Sequence, residues 1–496
     1  MPGLCETAEV GLDPRTPVIV GVGQVNVAEP PAPEPLELLV SAARSAAADA
    51  GGATNGERLL AGLDAIRLVP SLTRHYPDPA ALLAERIGAD PRHRGITSVS
   101  GHQPQALVNL TSAQIARGEL DAALIGGAEA WRTRNAYKRA GERPQWSTQD
   151  DSARPTERFG EDKPFFGPAE VAAGVSRPTD IYPIFETALR SKLGRSSAEH
   201  HKRVTELWAE FARVAVDNPY AVLREGYTAA RIGTPGPDNR MINYPYPKLM
   251  NSNSSVDQAA VLLLCSVERA RALGLPEERW VFPVSGAGAN DTDTPGARHE
   301  LAASPAIRHA GAAALRLAGI TPDQLDIVDL YSCFPSAVQV SAAELGLPPG
   351  RPLTITGGLT FAGGPWCNYP AHAIATMAGL VRERPESYAL VTGNGGMLTK
   401  HAIGVYAGRP NAAGYRVEDA QPLVAAEPTR RSAPEDYRGR AVVEGYTVAH
   451  DRDGRPTGAM IAALTPAGDR AWFARDDAET LARALTGELD NAEVTV

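Results

Sequence analysis

The stretch SVSGHQPQAL, residues 98–107, places Ser100 two residues before His102. A serine hydroxyl is a weak nucleophile until a base takes its proton, and imidazole does so near neutral pH. Residues two apart on an extended strand end point to one side, so Ser100 and His102 form a candidate nucleophile–base pair. A structural or ligand-bonding serine is the other reading of the same loop. Two thiols lie in loops of similar character, Cys333 in YSCF and Cys367 in GGPWCNYP. Free cysteine is commonly a packed side chain, which is the reading for Cys333. Cys367 is an alternative nucleophile, although its neighbours Trp366, Asn368 and Tyr369 could shape a pocket without it. The glycines of GGLTFAGG (357–364) and TGNGG (392–396), among them Gly358, Gly363, Gly395 and Gly396, permit close backbone approach. Their N–H groups suit a carbonyl oxygen. In NSNSSVDQAA (251–260), Ser254 or Ser255 sits where a polar loop would cap a helix.

These residues need a scaffold, and the flanking pattern is α/β. TPVIVGVGQV reads as a buried strand, LLVSAARSAAADAGG as an Ala-rich helix with a glycine stop, and LDAIRLV as a second strand. ALLAERIGAD is a helix, GITSVSG leads into the Ser100 loop, and a helix, a glycine turn and a strand follow it through GGAEA. A later half repeats the scheme with VFPVSGAG, AIRHAGAAALRLAGI, LDIVDLYSC, AHAIATMAGLVRE and YALVTGNGG. LDAALIGGAEA in the first half corresponds to SYALVTGNGG in the second. A duplicated α/β unit is thus expected, with the loops of both copies facing one shared cleft. The expected division is 15–131 with 249–277, an insertion at 132–248, a second half at 278–410 and a separate β-rich domain at 411–496. The insertion is rich in Pro, Arg and Tyr, holds one clear helix, and reads as a lid or a ligand-covering subdomain. The last segment reads as a small five-stranded barrel of the oligonucleotide-binding type.

Composition narrows the classes. At 496 residues the chain is too long for one simple core. No apolar run approaches the ~18 residues of a membrane span, and the N-terminus lacks the basic start and apolar stretch of a signal or transit peptide. The cysteines, Cys5, Cys265, Cys333 and Cys367, are too few and scattered for a disulfide framework or a zinc site, which fits a reducing cytoplasm. Net charge is −9, without a clustered Lys/Arg stripe, so no nucleic-acid surface is expected. The acidic C-terminal segment has too few aromatics to stack on single strands.

The duplicated halves, GGAEA, NSNSSVDQAAVLLL and GGLTFAGGP, in this order and spacing, resemble the thiolase superfamily, and residues 181–232 are similar to the loop domain of its sterol-carrier-protein type. The resemblance covers about residues 15–408. It implies a five-layered αβαβα fold, coenzyme A thioesters as ligands with no permanently bound cofactor and no metal, and catalysis between the halves. It also implies a role in lipid metabolism. Homodimers are the family habit, with a monomer made feasible by the extra domain. Thiolases pass an acyl group through a cysteine thioester, use a second cysteine as acid/base and stabilise oxyanions with histidine, an Asn-held water and backbone N–H groups.

Placed on that pattern, the nucleophile position is Ser100, the Asn position is Tyr331, the histidine of the Gly-His-Pro motif is Gly364, and the acid/base cysteine is Thr392. All four reactive positions are substituted. Three functions follow as expectations. One is a protein that binds coenzyme A or acyl-CoA without thiolase chemistry. Another is an acyltransferase of the acetyl-CoA acetyltransferase type, using Ser100 or Cys367. The third is a thiolase-like carbon–carbon lyase that uses Tyr331 as acid/base.

Overall fold

The computed structural model describes residues 12–428 and 430–496; Cys5 and the N-terminal leader reading lie outside the described residues. Two sheets form the centre. The first contains β1 (Pro17–Asn26), β2 (Ala65–Leu68), β3 (His93–Thr97), β4 (Ala122–Ala130), β5 (Glu157–Phe159) and β8 (Asp257–Ser266), in the order β1-β8-β4-β2-β3-β5. The second contains β9 (Phe282–Asn290), β10 (Leu325–Asp329), β11 (Tyr388–Gly395), β12 (Lys400–Ala407) and β13 (Arg416–Asp419), in the order β10-β11-β12-β9-β13. The duplication shows in the strand directions. β1-β8-β4-β2 and β9-β12-β11-β10 both run antiparallel, antiparallel, then parallel.

Helices Gln103–Ala116 and Tyr369–Glu383 touch strands of both sheets and form the middle layer. Helices Pro35–Ala61 and Pro79–Ile87 cover the outer face of the first sheet, and Pro305–Ala318 covers the second. The five-layered α/β class expected from sequence is what the structure shows. The first Ala-rich helix breaks at Gly51–Gly52, where the backbone leaves helical φ/ψ as the glycine stop predicts, and a second helical segment runs on to Ala61. NSNSSVDQAA differs, because it feeds β8 and caps no helix.

The third sheet contains β6 (Met241–Tyr244), β7 (Tyr246–Pro247), β14 (Arg440–His450), β15 (Pro456–Leu464), β16 (Arg470–Arg475) and β17 (Glu493–Thr495). Its order is β16-β15-β14-β6-β7, with β17 also on β14. The extra C-terminal sheet domain expected from sequence is present. Two strands of this sheet come from the insertion, and among the described residues no ladder joins β16 to β7. Residues 416–419, meanwhile, extend the second sheet by pairing with β9. The insertion is anchored accordingly. Thr187 exchanges hydrogen bonds with Tyr446 (2.7 and 2.8 Å), and Arg190 donates to Asp490 at 2.9 and 2.5 Å.

The outer edge of β3 carries β5, which also belongs to the insertion. The junction rests on Arg67, fully buried, which donates to Glu157 through two nitrogens (3.2 and 3.3 Å) and to Thr111 at 2.7 Å. Removing one partner of a buried pair strands the other charge. Glu157 is partly exposed, so Glu157→Ala is expected to cost about 2–3 kcal/mol, read as a lower urea midpoint with an unchanged slope.

Candidate functional site

The catalytic-loop positions converge where the middle helices begin. β3 ends at Thr97, and the helix from Gln103 starts after a turn at Ser100–His102. The Ser100 hydroxyl lies 2.8 Å from His102 Nδ1. The pair read from the spacing therefore forms, though on a helix start, with His102 in αR conformation, and not on an extended strand end. Strand β11 of the second half ends against it. A Cβ on Gly395 would stand 1.9 Å from the Ser100 hydroxyl, and one on Gly101 would stand 2.4 Å from that of Tyr331. Only glycine fits at either place, and both approaches bring the two halves together.

Ser100, Tyr331, Cys333, Cys367, Thr392 and Asn394 are all buried. Several of their polar groups have protein partners, while Asn394 Oδ1 is buried without one. Thr392 Oγ1 accepts the Tyr331 N–H at 2.8 Å, and the Tyr331 hydroxyl donates to the Trp366 carbonyl at 3.3 Å. Burial pushes the Cys333 and Cys367 thiols up to about 12, and the Tyr331 hydroxyl well above its ordinary range. Burial drives the His102 imidazole down to about 3, reinforced by Lys400 and His401, so it is neutral and can accept a proton from Ser100 only weakly. Among the described residues no carboxylate is bonded to it.

The remaining sequence candidates separate into two groups. Gly358, Gly363 and Gly396 hold positive φ at turns, and the Gly364 N–H donates to Asn253 O at 2.8 Å. Asn368 does not serve the cleft through its amide nitrogen, which donates to Gly127 O (2.7 Å) and Ala260 O (3.2 Å) of the first sheet. Ser254 and Ser255 are exposed and stand apart from the buried cluster.

Several residues of the site escaped the sequence reading. Asn394, inside the quoted TGNGG, donates to the Tyr182 hydroxyl at 3.2 Å and faces Cys333 Sγ at 3.7 Å. Glu129, inside the quoted GGAEA, is buried near Cys367 and pushed up to about 7 by desolvation. It nonetheless accepts N–H bonds from Leu72 (2.8 Å) and Thr73 (2.9 Å). Trp366 has φ 47°, a strained value for a bulky residue, and is 39% exposed. Its ring lies 6.3 Å from that of Trp131. Trp366 thus forms the solvent-facing cover of the cluster. Among the described residues no group of His, Cys, Asp or Glu is arranged to hold a metal ion, and no helix is long and apolar enough to cross a membrane.

Two outcomes are expected from these environments. Peptides containing Cys333 and Cys367 should label with iodoacetamide at pH 8 roughly a thousandfold more slowly in the native protein than in urea, because the thiolate is the reactive form. His102 and His372 are both held neutral by burial, down to about 3. Between pH ~6.5 and ~3 the unfolded chain binds protons there that the native chain does not, so stability falls as pH falls, by about 1.4 kcal/mol per unit for each histidine. Urea melts at pH 7, 6 and 5 read the slope, and His102→Asn should remove one proton's share of it.

The family described as thiolase-like protein type 1 additional C-terminal domain matches residues 419–496. Among solved structures, the chain is similar to a monomeric SCP2-thiolase like protein type 1 (STLP1) from Mycobacterium smegmatis, with 32% identity over 98% of this chain and 97% of that one, at a TM-score of 0.82. It shares its fold with an Ltp2-ChsH2(DUF35) aldolase, with 20% identity over 80% of this chain and 99% of that one and a TM-score of 0.60. It likewise shares its fold with acetyl-CoA acetyltransferase from Syntrophomonas wolfei, with 15% identity over 79% of this chain and 99% of that one and a TM-score of 0.55. No curated protein matches the chain. With catalytic loops converging between duplicated halves and a third sheet added at the C-terminus, the chain belongs to the SCP2-thiolase-like proteins of type 1.

Proposed function

We propose that the protein binds coenzyme A or an acyl-CoA between its two halves and does not carry out thiolase turnover. The observation that carries this reading is the state of the four reactive positions. Ser100 is bonded to a neutral His102, Thr392 to the Tyr331 N–H and Tyr331 to the Trp366 carbonyl, while Gly364 has no side chain. Thiolase turnover needs a thiolate nucleophile and a second thiol as acid/base. The two thiols nearby are held protonated by burial. The loops that would surround a thioester are retained while the groups that would cut it are not.

The same reading makes the protein a cytoplasmic monomer. β5 of the insertion covers the edge of β3 in the first sheet, leaving that edge unavailable to a second copy. Cys265, Cys333 and Cys367 are unpaired thiols, as a reducing compartment requires.

One observation favours a second reading. The 2.8 Å contact of Ser100 with His102 is nucleophile–base geometry, the arrangement an acyltransferase would need. Melting-shift titration with coenzyme A and acetyl-CoA, with intact-mass spectrometry of the same samples, separates the two. A saturable upward shift without a covalent adduct is the expected outcome. An acyl adduct lost in Ser100→Ala but kept in Cys367→Ala would establish the serine acyltransferase. No shift and no adduct would overturn the binding reading, and loss of a β-hydroxyacyl thioester that depends on Tyr331 would replace it with the lyase.

A further inference from the structure

A cavity of about 250 Å³ lies between helices Pro178–Lys192 and Ser197–Asp217 and the β6–β7 hairpin. It contains none of the catalytic-loop positions. Ala198, His200, Val204, Tyr244, Tyr246 and Met250 form much of its wall, with Glu186, Thr187 and Arg190.

Glu186, Thr187 and Arg190 of that wall are committed elsewhere, while His200 Nδ1 is buried without a partner and the His201 ring also lines the cavity. Glu186 takes His200 Nε2 at 2.5 Å, Gln339 Nε2 at 2.8 Å and the Tyr246 hydroxyl. Arg190 directs its nitrogens to Asp490, to Tyr244 OH at 3.1 Å and to Tyr446 OH at 2.7 Å. The Thr187 hydroxyl donates to the Tyr446 carbonyl at 2.7 Å. The wall thus presents mostly aromatic faces, aliphatic side chains and the methylenes of Glu186 and Arg190, with the His200 and His201 imidazoles as its remaining polar groups.

Charge follows from this commitment. An anion would lie beside the Glu186 carboxylate with no free Arg190 donor to receive it. A cation would find the Glu186 oxygens already filled. Neither could recover the cost of leaving water. Size follows from volume, since an apolar cavity of ~150 Å³ stays dry and accepts benzene, so this one has room for a ring with a short substituent.

We propose that this cavity is a binding site for a compact, uncharged, largely apolar molecule of the size of a substituted benzene. The site is independent of the coenzyme A reading. Its occupant would press on Tyr246, which accepts the Ser336 N–H at 3.0 Å just after Cys333 and Phe334. The ring of Tyr246 also stands 6.0 Å from that of Phe334. Occupancy is therefore felt at the second-half catalytic loop.

Titration of the full-length protein with benzyl alcohol, toluene and benzoate, read by thermal melting, tests the site. The neutral probes should raise the melting temperature with increasing concentration while benzoate leaves it unchanged. Ala198→Trp, at an exposed position on the wall, should abolish the shift. Hydrogen exchange of residues 197–204 should slow on adding benzyl alcohol, which reads the site even if that variant folds poorly. No shift with either neutral probe, a shift that survives Ala198→Trp, or binding without slower exchange at 197–204 would each overturn the assignment.

Discussion

Two helices sandwiched between two sheets have no face left for water, and the rest of this structure depends on how their polar groups are satisfied. Asn109, on the Gln103–Ala116 helix, donates to Ile403 O at 3.1 Å in the second sheet. Asn368, at the start of the Tyr369–Glu383 helix, donates to carbonyls of the first sheet. Each half thus inserts an asparagine into the backbone of the other half's sheet. An unmet amide at that depth would cost about 1–3 kcal/mol, so the helices are fixed in height and rotation. Their N-terminal turns, which carry Ser100–His102 and Trp366–Asn368, are fixed with them.

That depth also decides the chemistry of the cluster. Desolvation disfavours every charged form. It raises Cys333 and Cys367, lowers His102, and raises Glu129 despite its four donors. In a thiolase site a thiolate–imidazolium pair would offset that cost by mutual attraction. Here no such pair exists, and the neutral forms prevail. Replacing Cys by Ser at position 100 is consistent with this setting, because a hydroxyl bonded to a neutral imidazole is a stable way to fill the same space.

Much of the fold was legible from residues 17–131 and 278–407 because wholly buried strands and Ala-rich helices leave continuous apolar runs. The correspondence of LDAALIGGAEA with SYALVTGNGG predicted β4 and β11 as equivalent strands. Short strands were not legible. β5 spans Glu157–Phe159 and β7 spans Tyr246–Pro247, lengths over which no periodicity can be read, and their partners lie far along the chain. The tie between the added sheet and the insertion was not legible for that reason, since β14 finds β6 about 200 residues upstream. At the site, Ser100 and His102 were readable from spacing. The bonds of the Asn368 amide nitrogen to the first sheet were not legible because a cleft-lining amide and a sheet-bonding amide look identical in GGPWCNYP, and Glu129 was missed because its donors come from residues 71–73 of another loop.

The C-terminal addition is best understood through what it holds. β14 pairs with β6 of the insertion and meets the Pro178–Lys192 helix through Thr187 and Arg190. On the opposite flank Arg470, fully buried, donates to Glu444 at 2.7 Å and to Gly296 O at 2.8 Å in the second half. The added sheet therefore bridges the insertion to the second half through buried, charge-assisted bonds, which are stronger than neutral ones. Tyr182 and Tyr246 of the insertion stack on Phe334, at 4.4 and 6.0 Å, so the bridge reaches the catalytic loop. A lid hinged freely over the cleft would lack such ties. The insertion is instead clamped from behind, while Trp366, strained and exposed, and the half-buried Gly101 and His102 lie on the side of the cluster nearer solvent.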